Sequence, residues 1–201
     1  MKTALSTARI PTLFATFWPG AGIARAVVMV LGGSLLLALS AKVQVPFWPV
    51  PMTMQSLVVL LLGMSYGSRL GAATLAAYLA EGICGLPVFA GATAGPAYMM
   101  GPTAGYLVGF LLAAALLGWL AEHGWGRGVV RLAVAMSIGH VLLFVPGVLW
   151  LAVLLGWGKA IAVGVTPFIA ATVLKTALGV AVMSALWGLA GRRGGSQSLG
   201  R

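Results

Sequence analysis

The apolar positions of the chain fall into six long runs, separated by short polar connections or by stretches rich in glycine and proline. A membrane-spanning helix needs about 20 mostly apolar residues, and fewer where neighbouring helices cover its ends. By that measure the candidate spans are 23–41, 53–66, 69–83, 103–122, 129–145 and 167–190. Pro167 suits a helix start, and Thr166 before it is a plausible N-cap. The pattern predicts an all-α polytopic membrane protein with six transmembrane helices, whose structured outer loops form a substrate pocket.

The connection 146–166 lies between the last two runs. It is too short for another pair of spans, so we expect a re-entrant or surface helix there. Residues 1–22 are expected to form a cytoplasmic or interfacial arm, anchored by Phe14, Phe17 and Trp18. Their apolar run is too short and too broken for a signal peptide. Residues 23–190 then form the membrane domain, and 191–201 form a polar tail whose composition is typical of a linker.

The composition supports a membrane protein. Of 201 residues, 61% are hydrophobic and only 7% are charged, whereas a soluble domain has roughly 25% charged residues. The net charge of +10 would suggest nucleic-acid binding in a soluble protein. Here the charges are few and scattered between apolar runs, so we interpret them as topology signals.

The basic residues also predict the orientation. If both termini lie on one side, nine of the 12 basic residues lie on that side and three on the other. The nine are Lys2, Arg9, Arg25, Arg69, Arg127, Arg131, Arg192, Arg193 and Arg201, and the three are Lys42, Lys159 and Lys175. Because cytoplasmic loops are enriched in Lys and Arg, both termini are predicted to be cytoplasmic. The connections 42–52, 82–102 and 146–166 are then on the outer face.

One of these connections dominates the sequence. Residues 81–106, EGICGLPVFAGATAGPAYMMGPTAGY, contain six glycines and three prolines, which makes a continuous helix improbable. The large side chains of this segment are nevertheless apolar or amphipathic, and they include Phe89, Tyr98 and Tyr106. Irregular backbone at membrane depth is tolerated only where protein buries it or it lines a cavity. We therefore expect this segment to be part of the floor or lid of a binding pocket.

The residues that an enzyme would need are missing from the sequence. There is one cysteine, Cys84, which is expected to pack as a small apolar residue, and His123 and His140 are far apart in the sequence. The chain has no HExxH, no GxSxG elbow and no P-loop. No cofactor or metal is predicted, and any ATP hydrolysis would have to come from another protein.

Two polar residues mark the start of the second run. Thr53 follows Pro46, Pro49 and Pro51, and it could cap the helix or line a site. Gln55 lies just inside the apolar run, where a buried amide needs a partner. Its partner could be a neighbouring helix or a polar ligand.

Lys175 lies deep in the last run, nine residues beyond Thr166 and so about 13 Å into that helix. It could snorkel to the surface, or it could face a cavity and pair with an anion, as intramembrane cations usually do. Its predicted partner is Glu81 or a ligand carboxylate. Glu81 by itself could also simply lie at the membrane interface.

Three blocks of sequence resemble the BioY family, the biotin-specific S components of energy-coupling factor (ECF) vitamin transporters. They are VQVPFWPVPMTMQ at 43–55, GLPVFAGATAGPAYMMGPTAGYLVGF at 85–110 and TPFIAATVLK at 166–175. The resemblance implies six helices and capture of biotin from outside. It also implies partnership with a transmembrane T component and a pair of ABC-type ATPases, with a homo-oligomer as a further possibility.

The chain departs from the family pattern at two positions. Related sequences often carry an arginine where this chain has Thr93, and an aspartate where it has Thr172. Lys175 of the last motif remains, and Glu81 is expected to replace the lost acid. The resemblance predicts polar contacts to the substrate from one group of side chains and aromatic or loop contacts from another. These are Lys175, Glu81, Gln55, Thr53, Thr172 and Thr103, and Phe89, Tyr98, Tyr106 and Trp48.

Two other functions remain compatible with the sequence. The chain could bind a different water-soluble vitamin, or it could be a structural or assembly protein of the membrane without a ligand. Ser34 and Ala38, spaced by four in the first run, offer a close-packing face on which a T component could dock.

Overall fold

The computed structural model describes residues 10–198, with side chains described through residue 192. The fold is an antiparallel helical bundle with one small hairpin. The helices are α1 (Leu13–Phe17), α2 (Ile23–Lys42), α3 (Gln55–Tyr66), α4 (Ser68–Ile83), α5 (Ala104–Leu120), α6 (Val129–Leu155), α7 (Trp157–Gly164) and α8 (Ile169–Ser198). Strands β1 (Gln44–Val45) and β2 (Met52–Thr53) pair antiparallel between α2 and α3.

The connections collect at the two ends of the bundle. Segments 43–54, 84–103 and 156–168 lie at one end, here called the loop end. At the opposite end, Gly67 makes the tight turn between α3 and α4, and a π-helical turn (Ala121–Trp125) follows α5. There the Glu122 carboxylate accepts hydrogen bonds from the Ser68 backbone N–H and hydroxyl, at 2.8 and 2.9 Å. It thereby satisfies a donor at the start of α4.

Helix α5 is the centre of the bundle. In its most apolar window 67% of the residues are buried inside the protein, against 11% for the run that contains α8. Small residues permit the close approach of its neighbours. A Cβ on Gly118 would lie 2.3 Å from the Gly67 carbonyl carbon, and one on Gly109 would lie 2.5 Å from the Leu143 oxygen. Such small-residue contacts are how helices gain packing energy in lipid, where no hydrophobic effect drives their association.

The six predicted runs correspond to α2, α3, α4, α5, α6 and α8, and segment 81–106 contains no continuous helix, as predicted. Within residues 10–198, four helical runs are long and apolar enough to cross a membrane. They are Ile23–Lys42, Ala104–Trp125, Val129–Leu155 and Trp157–Arg192. The helices α3 and α4 are shorter, at 12 and 16 residues, so the structure supports a multi-pass membrane protein without establishing six spans.

The predicted end of the fifth run at residue 145 is wrong. Helix α6 continues through Pro146 to Leu155, so residues 146–155 extend this helix. The separate helix α7 (Trp157–Gly164) follows in the part of the connection where a re-entrant or surface helix is expected. Proline removes one helical hydrogen bond, but contacts beyond it hold the chain in helical form. Gly147 packs against the Tyr106 ring, and Trp150 Nε1 donates to the Gly101 carbonyl at 2.8 Å.

Both predicted boundaries of the last run also need correction. Residues Thr166–Phe168 form a 3₁₀ turn, and the Thr166 hydroxyl donates to the Ile161 carbonyl, so Thr166 does not cap α8. At its other end α8 continues past residue 190 to Ser198, so most of the predicted polar tail is helical. Residues 199–201 lie outside the described part of the chain.

Two expectations about small residues are wrong. Ser34 is 1% exposed and its hydroxyl bonds to the Glu81 carboxylate of α4, so this face of α2 packs within the protein and is not free for a partner. Cys84 is exposed at the end of α4. In the described part of the N-terminal arm, which begins at residue 10, Phe14 packs edge-on against Tyr66 with ring centroids 5.0 Å apart.

Candidate ligand-binding site

A cavity lies at the loop end, between the starts of α3, α5 and α8 and the later part of α6. It encloses about 60 Å³ and is mostly apolar, with a few polar groups. Its lining residues are Val50, Pro51, Thr53, Gln55, Ser56, Ala90, Tyr98, Thr103, Tyr106, Leu107, Phe110, Leu143, Phe144, Phe168, Thr172 and Lys175. Apolar walls with a small number of placed polar groups are the usual composition of a small-molecule site.

Lys175 supplies the positive charge of the cavity. Its side chain is only 8% exposed, and its ammonium donates to the Thr53 carbonyl at 2.6 Å and to the Ser56 hydroxyl at 3.0 Å. Both acceptors are neutral oxygens. An ammonium has three donors, so two bonds leave one donor for a further acceptor.

The acidic residues of the chain lie elsewhere. Glu81 and Glu122 are its only two acids. The Glu81 carboxylate accepts from the Ser34 hydroxyl, and Glu122 accepts from Ser68 at the opposite end of the bundle. The expected pairing of Glu81 with Lys175 is therefore not what the structure shows. Glu81 of α4 bonds to Ser34 of α2, whereas Lys175 of α8 bonds to Thr53 and to Ser56 of α3. The two charges therefore have neutral partners on different elements.

Gln55 fixes a second polar position in the wall. It is 4% exposed, and its amide nitrogen donates to the Tyr78 hydroxyl at 2.6 Å. Thr53 supports it from the preceding strand: the Thr53 hydroxyl lies 3.3 Å from both the Gln55 backbone nitrogen and its Oε1. Thr53 thus satisfies a backbone donor at the start of α3. Of the two partners considered for Gln55, the structure shows the neighbouring helix, through Tyr78 of α4, and Gln55 also lines the cavity.

Aromatic rings form the opposite wall. Phe144 packs edge-on against both Tyr106 and Phe168, with ring centroids 5.9 and 6.1 Å apart. The Tyr106 hydroxyl donates to the Gly164 carbonyl at 2.8 Å, which ties the end of α7 to α5. This mutual packing restricts the rings to one arrangement and makes this wall apolar.

Seven of the ten predicted site residues line the cavity. They are Lys175, Gln55, Thr53, Thr172, Tyr98, Thr103 and Tyr106. The other three lie outside the lining: Glu81 contacts α2, Trp48 is 85% exposed, and Phe89 is fully buried behind Tyr98. Phe89 supports the wall by stacking on Tyr98, with ring centroids 4.6 Å apart.

Four further residues line the cavity without having been predicted from the sequence: Ser56, Phe110, Phe144 and Phe168. Ser56 had a signal that could have been used, because it is a second polar residue directly after Gln55 in an apolar run. Phe110 and Phe168 lie in the blocks 85–110 and 166–175 that carry the resemblance, which was their only signal. Phe144 had none, since a phenylalanine in an apolar helix looks the same whether it faces lipid, core or ligand. Among the described residues, no group of three or more His, Cys, Asp or Glu side chains is placed to hold a metal ion.

Comparison with known proteins gives concordant results. The BioY family model matches residues 4–192. The probable biotin transporter BioY of Pyrococcus horikoshii is 36% identical over 153 residues, covering 76% of this chain and 90% of that protein. The biotin transporter BioY of Rhizobium etli is 38% identical over 162 residues, covering 77% and 84%.

A solved structure shares the fold. The crystal structure of the S-component for biotin from an ECF-type ABC transporter superposes with a TM-score of 0.69. It covers 84% of this chain and 95% of its own, at 21% sequence identity. At that identity the likeness concerns the arrangement of the helices.

Proposed function

Because the chain belongs to the BioY family, we propose that it is a substrate-binding subunit for biotin uptake. It is a non-enzymatic membrane transport protein that captures biotin and works with a transmembrane T component and ABC-type ATPases. The names of its relatives and the fold it shares with an ECF biotin S-component support this function.

The burial and the hydrogen-bond partners of Lys175 are the observation that best supports the proposal. A buried ammonium with two neutral partners, in a cavity to which neither acid of the chain contributes, favours a ligand that brings its own anion. Biotin has a carboxylate for this cation, and its bicycle and aliphatic tail are apolar enough for the rings of Tyr106, Phe144 and Phe168. Gln55 and Thr172 offer hydrogen-bonding groups for the ureido ring.

The proposal includes an orientation. Both termini are cytoplasmic, six helices cross the membrane, and the loop end faces outward to meet biotin. The short α3 and α4 are proposed to span together with the longer helices against which they pack. The distribution of basic residues supports this topology.

A binding titration tests the function. The purified protein, in detergent or in lipid nanodiscs, is titrated with biotin and separately with thiamine, riboflavin and niacin. Saturable binding of biotin alone is expected. Preference for another of these vitamins would replace the assigned substrate, and saturable binding of none of them would favour a structural role.

A further inference from the structure

The 84–103 loop carries part of the cavity wall, through Ala90, Tyr98 and Thr103. We propose that Lys42 and Tyr78 are positioning residues that hold this loop across the cavity, and that Tyr78 makes the position of the loop depend on what Gln55 contacts. The second half of this inference rests on the proposed function, and the first half does not.

Tyr78 joins the cavity wall to the loop. Its hydroxyl accepts a hydrogen bond from the Gln55 amide at 2.6 Å and donates its own to the Val88 carbonyl at 2.9 Å. Tyr78 is fully buried, so neither bond competes with water. A ligand that draws the Gln55 amide toward itself must therefore lengthen the bond to Tyr78 or move Tyr78 and the loop with it.

Lys42 holds the same stretch of loop from the other side. It ends α2, and its ammonium donates to the Phe89 carbonyl and to the Gly91 carbonyl, both at 2.8 Å. These bonds involve an ionised donor and are stronger than neutral ones. Unlike Tyr78, Lys42 bonds only to loop carbonyls and not to Gln55, so its contribution is expected to be independent of the ligand.

The loop is anchored between these two contacts by one ring. Phe89 is fully buried, lies edge-on to Tyr78 at 5.5 Å and stacks on Tyr98. A Cβ on Gly82 would lie 2.0 Å from the Phe89 ring, so the glycine is needed to seat it. The loop is thus built to occupy one defined position, not to drift over the site.

The small size of the cavity makes the position of the 84–103 loop important for ligand binding. Apolar cavities of about 150 Å³ hold a single benzene ring. The cavity here holds about 60 Å³, so a bicyclic ligand with a carboxylate tail fits wholly inside it only if the wall moves. The 84–103 loop has the least regular structure of the segments that line the cavity. The hydrogen bonds from Tyr78 and Lys42 that hold it can break and re-form.

The positioning roles of Tyr78 and Lys42 are tested first without ligand. In a Cys84→Ala background, Val88→Cys places a single thiol on the half-buried side of the loop, packed against the core, and its rate of reaction with a maleimide is measured in nanodiscs. Loss of a neutral hydrogen bond in Tyr78→Phe should raise the rate about five- to tenfold, and Lys42→Met should raise it about tenfold or more. The matched controls are Tyr66→Phe, at the opposite end, and Lys159→Met, exposed on α7.

Unchanged labelling rates in both Tyr78→Phe and Lys42→Met would overturn the positioning roles. If Tyr78→Phe fails to fold, Lys42→Met still decides whether hydrogen bonds hold the loop in place. Because this measurement uses no ligand, it stands even if the protein proves not to bind biotin.

The coupling is then tested with biotin. Saturating biotin should slow labelling of the thiol at position 88 in the Cys84→Ala, Val88→Cys background and also in its Lys42→Met derivative. In the Tyr78→Phe derivative this protection should be largely lost, and biotin dissociation should be about tenfold faster. Equal protection with and without the Tyr78 hydroxyl would overturn the coupling, as would faster dissociation with unchanged protection. Absence of biotin binding in the background protein would instead count against the proposed function.

Discussion

Replacement of Lys175 by methionine tests the binding model most directly. Methionine keeps the length and apolar character of the side chain but removes the ammonium that we propose pairs with the biotin carboxylate. Truncating one partner of a buried, hydrogen-bonded charge pair costs about 2–5 kcal/mol, so biotin affinity should fall about 30-fold or more. Lys175→Arg should restore affinity only in part, because a planar guanidinium does not reproduce the compact ammonium.

The same substitution has a structural cost that must be separated from binding. It leaves the Thr53 carbonyl and the Ser56 hydroxyl without their donor, which is expected to reduce stability by about 1–3 kcal/mol. Lys159→Met is the matched control, because it removes an exposed ammonium and should change neither affinity nor melting temperature. Calorimetric titration and thermal unfolding are run on the same preparations.

A neutral ligand analogue isolates the charge pair. Biotin amide keeps the bicycle and the tail but lacks the carboxylate, so the wild-type protein should bind it about 30-fold or more weakly than biotin. Lys175→Met should bind the acid and the amide with nearly equal affinity. If Lys175→Met retains wild-type affinity, or still prefers the acid, Lys175 does not hold the carboxylate and the residue-level model fails.

Further predictions concern other site residues and the orientation. Glu81→Gln should leave biotin affinity within about twofold of wild type, because the carboxylate bonds within the bundle and not at the cavity; a large loss measured by titration would place it back in the site. Phe168→Ala should weaken binding about tenfold or more, whereas Trp48→Ala, with its ring 85% exposed, should bind normally; the reverse order of affinities would contradict the assigned wall. In intact cells, a cysteine at Ala92 should react with an impermeant thiol reagent and one at Gly126 should not, and the opposite result would invert the topology.

The sequence predicts best what depends on short stretches of chain. The six apolar runs correspond to helices because their length and polarity are local properties, and segment 81–106 is irregular because glycine and proline act on their own backbone. Lys175 and Gln55 were identifiable for a related reason. A polar side chain inside an apolar run must find a partner wherever the helix is placed.

Contacts between distant segments account for the errors. Pro146 suggests a helix end, but the Tyr106 ring against Gly147 and the Trp150 bond to Gly101 keep the next turns helical. These partners come from α5 and from the 84–103 loop, so no window around Pro146 contains the information. The phenylalanine wall was missed for the same reason, because it forms only where α5, α6 and the 3₁₀ turn before α8 meet.

The location of Glu81 shows a further limit of charge-based reasoning. Two opposite charges in a small membrane protein suggest a pair, yet the structure gives each charge a hydroxyl partner: Ser34 for Glu81 and Ser56 for Lys175. An ion pair between Glu81 and Lys175 would have had almost no net charge and would have attracted an anionic ligand only weakly. Separation keeps the Lys175 cavity positive. Since neither acid of the chain lines that cavity, the neutral residue Thr172 makes the pocket more dependent on a ligand anion than a pocket with an acid there would be. The ratio of the affinities of the wild-type protein for biotin and for its amide is thus the quantity that most directly tests the role of the buried Lys175 ammonium.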